Sequence, residues 1–133
     1  MTSHIAGRVS EIPEGSRRLI DAGGKGGVGV FHVGSEFFAL RNACPHQGGP
    51  LCLGAVTGTS EVRWDGDGPA VLEWVREGEI LRCPWHRWEF DLRSGQSIFR
   101  SKMRVSTYEV RIAPSAETFP VRVEDGLVVV EIP

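Results

Sequence analysis

The chain has 133 residues, enough for one domain (1–133) built around one modest core. Its 15 basic and 17 acidic side chains give a formal net charge of −2, and no Lys/Arg cluster interleaves with aromatics, which excludes a strongly basic nucleic-acid binder. No apolar run reaches the length of a signal peptide or a membrane span; Arg17 and Arg18 mimic a twin-arginine signal, but only LIDA follows before the glycines begin.

In chain order, most segments read as short strands separated by turn signals, and no window sustains an amphipathic helical period, so the class is all-β. RRLIDA (17–22) is a strand that leads into GGKGGVG (23–29). That glycine tract resembles a phosphate-binding loop, which needs a lysine and a hydroxyl residue after its last glycine and a helix behind it. Val30 and Phe31 open a strand instead, so the tract is expected to be a turn. GVFHV (29–33) and EFFALR (36–41) flank Gly34–Ser35, a pair suited to a type II′ hairpin. Further on, VLEWV (71–75) and EILRC (79–83) are expected as two strands joined by a hairpin at Glu77–Gly78. PVRVE (120–124) and LVVVEI (127–132) are expected to pair across Asp125–Gly126.

Two loops interrupt this pattern with metal-binding chemistry. ACPHQGGPLC (43–52) offers Cys44 and His46, and RCPWHRWEF (82–90) offers Cys83 and His86. Zinc sites commonly draw like ligands from one element, as in C-x-x-C. One cysteine and one histidine from each loop suit a 2Fe-2S cluster of Rieske type better, because two cysteines take one iron and two histidines the other.

C-P-H-Q-G-G-P-L with C-P-W-H-R-W-E-F-D-L resembles the two cluster loops of the Rieske family, most nearly its soluble ferredoxins. VSEIPEG, VFHVGSEFFALRNACPH and FPVRVEDGLVVVEI resemble the flanking strands, so the likeness covers most of the chain outside residues 59–79. The resemblance implies a Rieske-like antiparallel β-sandwich whose cluster-binding subdomain is formed by loops at about 43–54 and 82–95, with a surface hairpin inserted at about 59–79. It implies one Rieske 2Fe-2S cluster held by Cys44, His46, Cys83 and His86, the histidine-bound iron receiving the electron. Cys52 is then neither ligand nor disulfide partner, which fits a reducing, cytoplasmic setting. Pro45 and Pro84 are expected to hold the loops open, Gly48 and Gly49 to bring amide N–H groups near the sulfides, and Pro50, Leu51 and Trp85 to form an apolar rim or part of the core.

Against the respiratory branch of the family, Trp85 stands where a bracing cysteine would be, and Trp88 and Phe90 replace cluster-directed hydroxyls. Fewer donors imply a potential nearer about −150 mV than about +300 mV. Arg87 stands where ferredoxins commonly have glycine. His4 and His32 are expected to be ordinary residues. The implied function is a one-electron carrier, not itself an enzyme, that passes electrons from a flavin-containing reductase to a terminal oxygenase or other redox acceptor, with no nucleic-acid or membrane partner. The alternatives are a small subunit of a multi-subunit reductase such as nitrite reductase, and a structural zinc module. Residues 60–80 hold six acids against two arginines, and 93–111 hold four arginines and a lysine against one glutamate, so opposite patches can orient a partner.

Overall fold

The structure is a computed structural model, and it describes residues 2–24, 26–98, 102–113 and 126–133. Among these residues the strands are nine: β1 (Thr2–Arg8), β2 (Arg17–Ile20), β3 (Val28–Val33), β4 (Glu36–Arg41), β5 (Val56–Arg63), β6 (Val71–Arg82), β7 (Glu89–Asp91), β8 (Thr107–Ala113) and β9 (Leu127–Ile132). Two single 3-10 turns, Val9–Glu11 and Leu51–Leu53, are the helical pieces among the described residues. Six strands form an antiparallel sheet in the order β1-β9-β8-β4-β3-β2, and three form a second sheet in the order β5-β6-β7. Within the larger sheet β8 meets β4 over only two residue pairs, Ala39↔Tyr108 and Leu40↔Thr107, so it divides into two halves.

The β3–β4 hairpin lies between two cores, and strand alternation explains how. Val28, Val30 and Ala39 face a core shared with Ala6, Ile12, Val128, Val130 and Ile132. Phe31 and Leu40, one residue out of phase, face a second core with Leu51, Leu81, Phe90, Leu92, Val105 and all three cysteines. Because its two faces are both buried, β3 reads VGVFHV without a polar residue until His32. The hairpin closes through Gly34–Ser35 with Val33 opposite Glu36, and a positive φ of 62° at Gly34, with none at Ser35, fits the expected type II′ turn.

The glycine tract is a turn: Gly27 N–H donates to the Gly24 carbonyl, Ile20 pairs with Val28, and Arg41 ties the Ala22 and Gly27 carbonyls. A strand follows it, so no helix N-terminus is available for phosphate.

One expected turn is absent. Residues 71–82 form one strand, and Glu77–Gly78 is a bulge within it rather than a hairpin. On β5 the register runs from Thr57↔Ile80 to Thr59↔Val75, so residues 76–79 stand opposite Gly58 alone. Positive φ values at Arg76 (58°) and Gly78 (84°) accommodate the extra residues. The actual reversal lies at 64–70, making 56–82 one long hairpin arm. The expected PVRVE strand and the Asp125 turn position lie outside the described residues; β9 itself pairs with β1 and β8.

Candidate metal centre

The second core places the two motif loops side by side, the first following β4 and the second linking β6 to β7. The loops share one backbone design. In the first, the Cys44 carbonyl accepts the Gly48 N–H (2.7 Å) and the Cys44 N–H donates to the Gly49 carbonyl (2.8 Å). In the second, the Cys83 carbonyl accepts the Arg87 N–H (2.9 Å) and the Cys83 N–H donates to the Trp88 carbonyl (2.7 Å). Each cysteine is therefore fixed at the mouth of a five-residue turn. The Gly48 amide is committed to this closure, whereas the sequence had suggested a sulfide-directed role for it.

The four predicted donors meet in two pairs, thiol with thiol and imidazole with imidazole. The Cys44 and Cys83 side chains are buried and in hydrogen-bonding contact with each other. Burial pushes the Cys44 thiol up to about 11, the His46 amide N–H opposes the rise, and the neighbouring Cys83 adds to it. Two thiolates this close, in apolar surroundings, need a cation between them, which is what a metal centre supplies. The imidazoles of His46 and His86 meet edge to face, with ring centroids 4.9 Å apart. Among the described residues, no three Cys, His, Asp or Glu side chains converge so as to hold one ion. Thiols paired with each other and imidazoles paired with each other suit two metal ions, not one tetrahedral ion.

The pairs differ in access. The thiols are inside, His46 is half-buried and His86 is exposed. Trp88 stacks on His46 at 4.1 Å with 14° between the planes, a contact that the sequence reading missed because it assigned this position only by the hydroxyl it lacks. Gly49 has a separate role: a Cβ there would lie 2.7 Å from the Trp85 ring, so the glycine makes room for that indole. The expected apolar rim holds only in part. Trp85 is 56% exposed, Pro50 is half-buried, and Leu51 is fully buried in the second core because it opens the 3-10 turn that folds back under the loop.

Cys52 is a free, fully buried thiol whose Sγ lies 3.4 Å from the Leu40 carbonyl, on the core side of the loop. Burial pushes it up to about 12, so it stays protonated. His32 stacks on Phe37 and lies against the Ile12 carbonyl, while His4 sits on β1 opposite Val130; neither approaches the loops.

Beneath the second loop, Glu89 is buried; it accepts the Thr59 hydroxyl (2.5 Å) and the Arg82 guanidinium (2.7 Å), linking β5, β6 and β7. Of the expected charge patches, the basic one is neutralised in part: Arg93 pairs with Glu36 and Arg111 with Glu131. On the acidic arm, both arginines are engaged, Arg63 by Glu73 and Arg76 by Glu79 and Asp91.

The family model of the Rieske 2Fe-2S domain matches residues 2–109, which include both loops and the strands that carry them. The chain belongs to the Rieske family. Its cofactor is accordingly one Rieske-type 2Fe-2S cluster, and the paired donors fit it. Among curated relatives, the Rieske chain is 23% identical over 125 residues to the 3-phenylpropionate/cinnamic acid dioxygenase ferredoxin subunit of Escherichia coli K12, covering 94% of this chain and 89% of that one. Among solved structures, the Sphingomonas yanoikuyae B1 ferredoxin superposes with a TM-score of 0.64 at 22% identity, over 99% of this chain and 100% of that one. A chain from the complex of reduced oxygenase and oxidized ferredoxin in carbazole 1,9a-dioxygenase gives a TM-score of 0.63 at 17% identity, over 95% of this chain and 91% of that one. At these identities the two structural likenesses are likenesses of fold. No helix among the described residues is long and apolar enough to cross a membrane.

Proposed function

We propose that this Rieske protein is a cytoplasmic one-electron carrier that takes an electron from a flavin-containing reductase and delivers it to a terminal oxygenase, with Cys44, His46, Cys83 and His86 as the cluster ligands. The observation that carries this reading is the asymmetry of the donor pairs: two thiols are sealed in the core, and two imidazoles lie at the surface end of the same loops. The relatives named as dioxygenase ferredoxin subunits, and the fold shared with a ferredoxin seen in complex with an oxygenase, support the choice of acceptor.

When bound, the cluster stores and releases one electron. The chain's own residues do the rest. Cys44 and Cys83 would hold the cluster as thiolates, and the closed turn of each loop fixes the backbone position of its cysteine. Trp88 covers one face of His46 and limits its rotation, while His86 presents its edge to solvent and shortens the route to a docked partner. Leu51, Phe90 and Leu92 keep water from the thiol side.

Single alanine replacements of the four ligands test the assignment by iron content, acid-labile sulfide and visible absorption. Each variant is expected to lose the cluster, and a variant that kept it with an unaltered spectrum would remove that residue from the set. Delivery is tested by mixing reduced protein with the oxygenase and following reoxidation. A colourless, zinc-loaded purified protein would overturn the reading as a whole.

A further inference from the structure

The two ligand loops repeat one backbone turn but fill its key position differently. Four residues after each cysteine, at the N–H that closes the turn, the backbone has a positive φ: 76° at Gly48 and 59° at Arg87. Glycine adopts that conformation without steric cost, and a residue with a Cβ is strained there. The first loop thus shows what the turn calls for, and the second holds an arginine in spite of it. Nothing among the described residues compensates. Arg87 is exposed, and its guanidinium makes no ion pair or hydrogen bond among the described residues. Strain retained at an exposed residue beside a working group is the pattern expected of a functional contact.

The surroundings define that contact. Residues 43–54 and 82–88 contain no Asp or Glu, and the other arginine there, Arg82, is held by buried Glu89. Arg87 is therefore the one uncompensated charge of the loop tip, between exposed His86 and half-buried Trp88 and two residues from exposed Trp85. The β5–β6 arm has the opposite character. It starts at the loops and runs for the eight residues of β5, roughly 23 Å at about 3.3 Å per residue. Glu61, Asp65, Asp67 and Glu77 on it have no basic partner among the described residues.

We infer that Arg87 is a docking residue that meets an acidic rim on the electron acceptor, with exposed Trp85 as the apolar contact beside it. The occupant is the terminal oxygenase of the reading above, on which this inference rests. An acidic partner face attracts the loop tip and repels the arm, so the protein arrives with His86 foremost. A charge at the edge of a small, transient contact acts mainly through the association rate and its salt dependence.

The test is stopped-flow electron transfer from reduced protein to the oxygenase across a salt series, with wild type and the variants Arg87→Gly, Arg87→Lys and Arg87→Glu. Arg87→Gly is expected to lower the second-order rate about threefold to tenfold at low salt and to flatten the salt dependence. Arg87→Lys should keep most of the rate, and Arg87→Glu should fall below Arg87→Gly. The visible spectrum should not change, and the saturated transfer rate of Arg87→Lys, which keeps the charge, should stay at the wild-type value. A wild-type rate and salt slope in Arg87→Gly would overturn the inference while leaving electron delivery intact. An effect confined to reduction by the reductase would overturn the choice of occupant. A wild-type protein that failed to reduce the oxygenase at all would instead sink the proposed function itself.

Discussion

The two cores on either side of the β3–β4 hairpin are built to different specifications. The buried residues of the one beneath β1, β9 and β3 are Ala, Val and Ile, with Phe37 and Tyr108 packed at its edge. The one beneath the loops mixes two large aromatics with three thiols, and two of those thiols meet where the metal belongs. With the proposed ligands, the first core is complete as protein and the second is completed by its cofactor. A chain of this size can thus carry one part whose stability belongs to the chain and another whose stability is linked to metal occupancy.

Removing the metal breaks that comparison most severely. Chelation under reducing conditions is expected to abolish amide-exchange protection around Leu81, Cys83 and Phe90 while the β1–β9 ladder stays protected. Simultaneous loss of both would show one cooperative unit instead. Side-chain deletion sharpens the contrast at the next level. Phe90→Ala should cost about 3–5 kcal/mol and lower iron content, whereas Val130→Ala should cost about 1–3 kcal/mol with iron content unchanged. Chemical denaturation paired with iron assay decides, and equal iron loss in the two would remove the distinction.

Smaller effects probe the boundary of the second core. Glu89→Gln leaves Arg82 without its carboxylate at a buried junction and should cost about 1.5–3 kcal/mol while the cluster's spectrum persists. Cys52→Ser should cost about 1 kcal/mol, with spectrum and potential unchanged, because the Sγ meets only a carbonyl and not the ligand side. Loss of the cluster in that variant would place Cys52 in the ligand set. The smallest expected effect is a gain: Arg87→Gly relieves a left-handed side-chain position and should raise stability by up to about 1 kcal/mol. A loss of stability there would mean that Arg87 is held by a contact within the molecule.

What the sequence made legible follows from how local the signal is. The meeting of Cys44 with Cys83 and of His46 with His86 was readable because few residue types can bind a metal, and the Gly34–Ser35 hairpin because a two-residue turn is encoded in two residues. The Glu77–Gly78 turn was misread, since a glycine with positive φ serves a bulge as well as a hairpin; only the partner strand decides, and β5 pairs on both sides of it. Leu51 looked like rim because it sits among loop residues, yet the 3-10 turn from Leu51 to Leu53 carries it under the loop, a fact of three dimensions that spacing does not contain. The stacking of Trp88 on His46 joins residues 42 positions apart on different loops, and no local pattern announces it. Arg87 was visible as a departure, but its meaning required the matching φ at Gly48.

The bulge at residues 76–79 makes the arm a mechanically separate attachment. In a regular ladder, adding or removing one residue reverses every side chain beyond it, so a change at the tip would be transmitted to the strands that carry Cys83. Here the four residues opposite Gly58 interrupt the ladder between the outer pairs, Thr59↔Val75 to Arg63↔Val71, and the inner pairs, Val56↔Leu81 and Thr57↔Ile80, while Arg76 anchors the bulge to Glu79 and Asp91. The tip at 64–70 can therefore be lengthened, shortened or fused to a label or a second domain while the inner register, and with it the geometry of the redox end, is conserved. For anyone building an electron-transfer chain from modular parts, that tip is the place to solder.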